Sequence, residues 1–77
     1  MNNKRRSKLE VIANKISNIC DEIDDVRDEE EDCMNNIPEN LQGSDRYIKS
    51  EEICDQLYEC IDMLNEAIEL INEVVTM

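Results

Sequence analysis

The chain has 77 residues with one Gly, one Pro, two Tyr, four Cys and no Phe, Trp or His, which allows a single domain at most. All-β folds need turn residues every eight to twelve positions, and only one turn-like cluster is present, so the composition predicts an all-α fold. With 20 acidic residues against 8 basic, the net charge is −12; direct nucleic-acid binding is excluded, because its affinity comes from Lys and Arg on phosphates.

The first six residues, Met1-Asn-Asn-Lys-Arg-Arg, read as a basic N-terminal tail. The next residues are amphipathic and do not form the apolar stretch of a secretion signal, and no run approaches the ~20 apolar residues of a membrane span. A cytoplasmic protein without membrane contact is expected, one that acts in the cytoplasm of a host cell. Cys20, Cys33, Cys54 and Cys60 form no C-x-x-C pair and have no His beside them. They read as small hydrophobes in a reducing compartment, not as zinc ligands or disulfides.

Helix 1 is predicted over about residues 7–36, a linker over 37–44 and helix 2 over about 45–75, together a helical hairpin over 7–77. Pro38 biases Ile37 away from helical geometry and so ends the first helix. Pro38 can open one short turn and Gly43 can close it. Ser44 has the chemistry of an N-cap, and Asp45 suits the positive end of the helix dipole.

Apolar residues recur at alternating spacings of three and four. In helix 1 they are Leu9, Ile12, Ile16, Ile19, Ile23, Val26, Cys33 and Ile37, with Glu30 the one polar member. In helix 2 they are Tyr47, Cys54, Leu57, Ile61, Leu64, Ile68, Ile71 and Val75, with Ser50 the exception. Such seams wind helices together. Pairing Leu9 with Val75, Ile16 with Ile68 and Ile23 with Ile61 keeps the sum of residue numbers constant, as an antiparallel two-helix coiled-coil hairpin requires.

Helix 2 carries a second stripe beside the first: Ile53, Cys60, Met63, Ala67, Leu70, Val74 and Met77. Helix 1 repeats only a fragment of it, in Ala13, Cys20 and Met34. Leaving such a stripe in water forfeits several kcal/mol at roughly 25 cal/mol per Å², and contiguous apolar stripes mark interaction surfaces. Helix 2 is therefore expected to be central in a homodimeric four-helix bundle, or against a foreign protein.

Acidic residues form the opposite face. Glu52, Asp55, Glu59, Asp62, Glu66, Glu69 and Glu73 succeed one another at spacings of three and four, and Asp21, Asp24, Asp25 and Asp28 belong to a stretch, Asp21 to Asp32, that holds nine acids and one base, Arg27. Like charges three or four apart cost roughly 0.2–0.5 kcal/mol each. The line is either a solvated outer face or a rod of carboxylates that fits a basic groove and mimics a nucleic-acid backbone. The acidic run lacks the Gly and alternating oxygens of a calcium loop, and no nucleophile has a base placed beside it. No enzyme activity, metal or cofactor is expected.

The segment Arg27-Asp-Glu-Glu30, then Asn36-Ile-Pro-Glu-Asn-Leu-Gln-Gly-Ser-Asp-Arg-Tyr47 and Glu51-Glu52, resembles the centre of short acidic helical proteins of phages and mobile elements of low-GC Gram-positive bacteria. That resemblance implies a mobile-element setting and no particular chemistry. The expected function is a protein-binding inhibitor or modulator of a host defence or DNA-handling protein. The other reading is a purely structural homodimeric coiled-coil module.

Overall fold

Asn2 opens the chain's first helix by accepting a hydrogen bond on its side-chain oxygen from the Arg5 amide at 2.8 Å. In the computed structural model, which describes residues 1–77, α1 runs Asn3–Asn35, a 3₁₀ turn spans Glu39–Leu41, and α2 runs Asp45–Thr76. The basic segment expected to be a tail is thus mostly the first turn of α1. Its Arg6 reaches across to the other helix, donating from Nη2 to the Met77 carbonyl at 3.4 Å, a cation at the negative end of α2.

The connection is built from local hydrogen bonds. Pro38 is extended (φ −55°, ψ 144°); its carbonyl accepts from the Leu41 amide at 2.8 Å, and the Leu41 carbonyl accepts from Ser44 at 3.0 Å. Ser44 Oγ then accepts from the Tyr47 amide at 3.4 Å and caps α2. Gly43 does not close the turn through a left-handed conformation: its φ is not positive, and a Cβ there would meet nothing within 4 Å.

The two helices lie antiparallel in a rod of 60 × 15 × 12 Å by Cα positions. On the side of α2 the seam is the one expected: Ser50 and Cys54 are buried, and Tyr47, Leu57, Ile61, Leu64, Ile68, Ile71 and Val75 are half-buried. On the side of α1 only half of the expected seam is there. Leu9, Ile16, Ile23, Glu30 and Ile37 face α2 as expected. Ile12 is half-buried, whereas Ile19, Val26 and Cys33 stand exposed. Their place is taken by Ala13, Cys20 and Arg27, all buried, and by half-buried Met34.

The reason for this correction is steric and electrostatic. Columns one residue apart share the same three-four spacing, so either can complete the seam. The small Ala13 and Cys20 let the backbones approach, and Arg27 finds partners on both helices there. Three cross-helix contacts, Arg6–Met77, Arg27–Tyr58 and Glu30–Ser50, bracket the register. On it Cys20 lies level with Leu64, and Ile23 with Ile61.

A single layer of two helices buries little. Only five residues are buried, and none of the large side chains is fully so. Fully burying a Leu or Ile side chain stabilises by about 1.5–3 kcal/mol; here most of them collect only part of that. Neither helix is long and apolar enough to cross a membrane.

Candidate docking surface

The column displaced from the seam does not vanish; it becomes a surface. In an antiparallel pair the columns flanking the seam meet like with like, so Ile12, Ile19, Val26 and Cys33 of α1 share a face with Ile53, Cys60, Ala67 and Val74 of α2. Ile19 is 46 % exposed, Val26 55 % and Ile53 40 %. On the outer edge of α2 the same face continues through Met63, Leu70 and Met77, all exposed. At the loop end it runs into a concavity of about 360 Å³ lined by Cys33 of α1, Asn36, Ile37, Pro38, Leu41, Ser44 and Arg46 of α2. Cys33 and Arg46 sharing one concavity places the two flanking columns on the same side.

Of the second stripe expected on α2, Ile53, Cys60, Met63, Leu70 and Met77 are exposed, while Ala67 and Val74 are half-buried. The apolar surface is broader than that stripe, because α1 contributes a full column and not a fragment. The fragment expected on α1, Ala13, Cys20 and Met34, is the part that faces α2.

On the opposite face the columns that flank the seam are polar apart from Tyr58. Glu10, Ser17, Asp24 and Glu31 flank the seam on α1, and Glu51, Tyr58, Asn65 and Asn72 flank it on α2. Its centre is Arg27, 8 % exposed. The guanidinium donates from Nε and Nη2 to Asp24 Oδ1 (3.1 and 2.9 Å), from Nη2 to Asp28 Oδ1 (2.7 Å) and from Nη1 to Glu31 Oε2 (2.7 Å). It lies 4.2 Å from the ring centroid of Tyr58 on α2, the stacked geometry a planar cation favours. The hydrogen bond to Asp24 is the main cause that raises the Arg27 pKa above its ordinary value. The sequence signal was the spacing of acids at one, three and four residues from a single Arg, with that Arg continuing the Ala13–Cys20 column.

These three ion pairs are the only ones in the chain. They remove Asp24 and Asp28 from the acidic face as free carboxylates. Asp21 and Asp25 are exposed, as are Glu52, Asp55, Glu59, Asp62, Glu66, Glu69 and Glu73 along the back of α2, and none of these nine has a cationic partner. Along α1 the charges run against the helix dipole, with no acid in the first turn and no base in the last. Each such mismatch costs about 0.3–1 kcal/mol at an exposed site.

The cysteines divide by position. Cys20 and Cys54 are buried in the seam, and Cys33 and Cys60 are exposed on the apolar face. Burial, with Glu31 and Glu30 nearby, pushes the Cys54 thiol above its ordinary value. Glu30 itself is held at the seam by the Ser50 hydroxyl, which donates to its Oε1 at 2.8 Å. No group of three or more Cys, Asp or Glu side chains converges closely enough to hold a metal ion. Comparison with protein families, with curated proteins and with solved structures finds nothing that matches this chain.

Proposed function

We propose that the chain is a protein-docking module that closes on a second copy of itself through the apolar face, forming a homodimeric four-helix bundle, and that it performs no catalysis. One observation carries the reading: two apolar columns, Ile12 to Cys33 of α1 and Ile53 to Val74 of α2, lie side by side and unpartnered on a single face. The hairpin buries small residues between its helices and leaves Ile19, Val26, Met63 and Leu70 outside. That choice is costly for an isolated pair of helices and favourable once a second layer covers them. A face of 60 by 15 Å is also comparable with the ~800 Å² that each partner contributes to a stable interface.

The acidic line supports a further layer of this reading. In a bundle closed through the apolar face, Glu52 to Glu73 still point outward, and none of them is ion-paired within the chain. A basic groove on a host DNA-handling or defence protein is the complementary surface, so the dimer acts as a cytoplasmic inhibitor of the phage type that the linker resembles. Such binding weakens with salt and competes with nucleic acid.

Sedimentation equilibrium tests the assembly. The wild-type chain is expected to reach twice its monomer mass in the micromolar range. Met63→Glu with Leu70→Glu should return it to a monomer while circular dichroism shows the helices largely intact. A wild-type chain that stays monomeric at 100 μM overturns the self-docking reading.

A further inference from the structure

Resting on that self-docking reading, we infer that the second copy lies antiparallel to the first across a two-fold axis, α1 on α1 and α2 on α2, with the two loops at opposite ends of the bundle. The edges of the apolar face carry this. On the α1 edge, one turn outward from Ile19 and Val26, stand Lys8, Lys15, Glu22 and Glu29, all exposed and none engaged in an ion pair within the chain. The α2 edge carries Met63 and Leu70 at the corresponding places.

Two closed arrangements put one apolar face on another. If the loops share an end, the α1 edge meets the α2 edge. Lys8 then lies level with Met77, Lys15 with Leu70, Glu22 with Met63 and Glu29 with Gln56, so three charges are set against apolar side chains and none is paired. If the loops are at opposite ends, each edge meets its own copy running the other way. Lys8 then meets Glu29 and Lys15 meets Glu22, each pair occurring twice by symmetry, while Met63 packs on Leu70.

The geometry closes on both edges at once. The α1 pairs place the two-fold axis between residues 18 and 19, the middle of a helix that spans Asn3–Asn35. The α2 pair places it between residues 66 and 67, which the hairpin register sets within one residue of level. A single axis therefore serves both edges; the two copies of α1 overlap along their full length, and the two copies of α2 overlap from residue 56 to 77.

The wider charge distribution agrees. Residues 3–20 of α1 hold five cations and one carboxylate, and residues 21–35 hold nine carboxylates and one cation. That polarity opposes the helix's own dipole, so it works against α1 alone. Two copies of α1 set antiparallel bring each basic half against an acidic half.

Charge reversal tests the arrangement, with a sign that net charge alone predicts wrongly. Glu22→Lys with Glu29→Lys changes the chain from −12 toward neutrality and suits the helix dipole, so a dimer limited by general repulsion would tighten. The antiparallel arrangement expects the opposite, a dimer weakened ~10-fold or more at low salt, because four pairs become repulsive. Adding Lys8→Glu and Lys15→Glu to the same chain should restore affinity to within about threefold of wild type. Tightening by the first pair, or no recovery with all four, overturns the antiparallel arrangement and leaves self-docking standing. A wild-type monomer at all concentrations overturns self-docking itself and assigns the face to a foreign protein.

Discussion

The two broad faces of this hairpin are built from helices of the same length and spacing, yet they do opposite things with their flanking columns. On one, every flanking position from Ile12 to Cys33 of α1 and from Ile53 to Val74 of α2 is apolar. On the other, every flanking position is polar or is Tyr58. The polar face completes itself: Arg27 draws Asp24, Asp28 and Glu31 together and lays its guanidinium on the Tyr58 ring. The apolar face has nothing in the chain to complete it. The difference shows how a sequence with too much apolar surface for two helices settles its internal seam with small residues and leaves the surplus exposed on one face.

The largest effect expected from breaking this contrast comes from one carboxylate placed on each face. Val26→Asp puts a charge in the middle of the apolar surface, and burying it without a partner costs several kcal/mol; the dimer dissociation constant should rise at least ~100-fold by sedimentation. Asn65→Asp, the control on the polar face, should change it less than about threefold. Equal effects would erase the distinction between the faces.

The next effect is on the hairpin rather than on the dimer. Arg27→Ala leaves a gap in the seam and Tyr58 without its cation, and the melting temperature should fall by several degrees. Arg27→Met fills the same column with an apolar side chain, and its half-exposed carboxylate partners return to water. It should recover most of the loss, because a buried ion pair is often replaceable by a well-packed hydrophobe. If Met is as damaging as Ala, the guanidinium supplies specific stabilisation that packing does not.

The smallest effect is kinetic and separates the thiols. The raised Cys54 pKa keeps its thiolate scarce at pH 8, and both it and Cys20 are sheltered in the seam. Cys33 and Cys60 should therefore label first with a thiol reagent. Cys60 lies level with Val26 in the middle of the apolar face, so its labelling should slow severalfold as protein concentration rises and the dimer forms. Concentration-independent labelling of Cys60 would place the contact elsewhere.

Much of this architecture was readable from residue order. Pro38 and Ser44 marked the turn and the start of α2, and the Tyr47-to-Val75 seam was legible because no neighbouring column of α2 competes with it in both size and continuity at the loop end. The α1 seam was not. Ile12, Ile19, Val26 and Cys33 have the spacing of Ala13, Cys20, Arg27 and Met34, and hydrophobicity alone favours the former. The choice turned on close approach at the small residues and on Tyr58, 31 positions along the chain from Arg27, a contact that no local pattern announces. The exposed apolar face went half unseen for the same reason, since its α1 half consists of the residues assigned to the seam.

Arg27 also governs alignment along the rod. The layers away from the loop, from Leu9–Val75 to Ile23–Ile61, are all apolar, so sliding α2 by seven residues would rebuild much of that core about 10 Å out of step. Such a slip would put Asn65 or Glu51 beneath the guanidinium in place of an aromatic ring. The stacked cation makes one alignment better than its neighbours, as a single polar residue does in a coiled coil. It also keeps the α1 and α2 apolar columns level with each other, so a residue on the polar face decides whether the opposite face has a continuous outline at all.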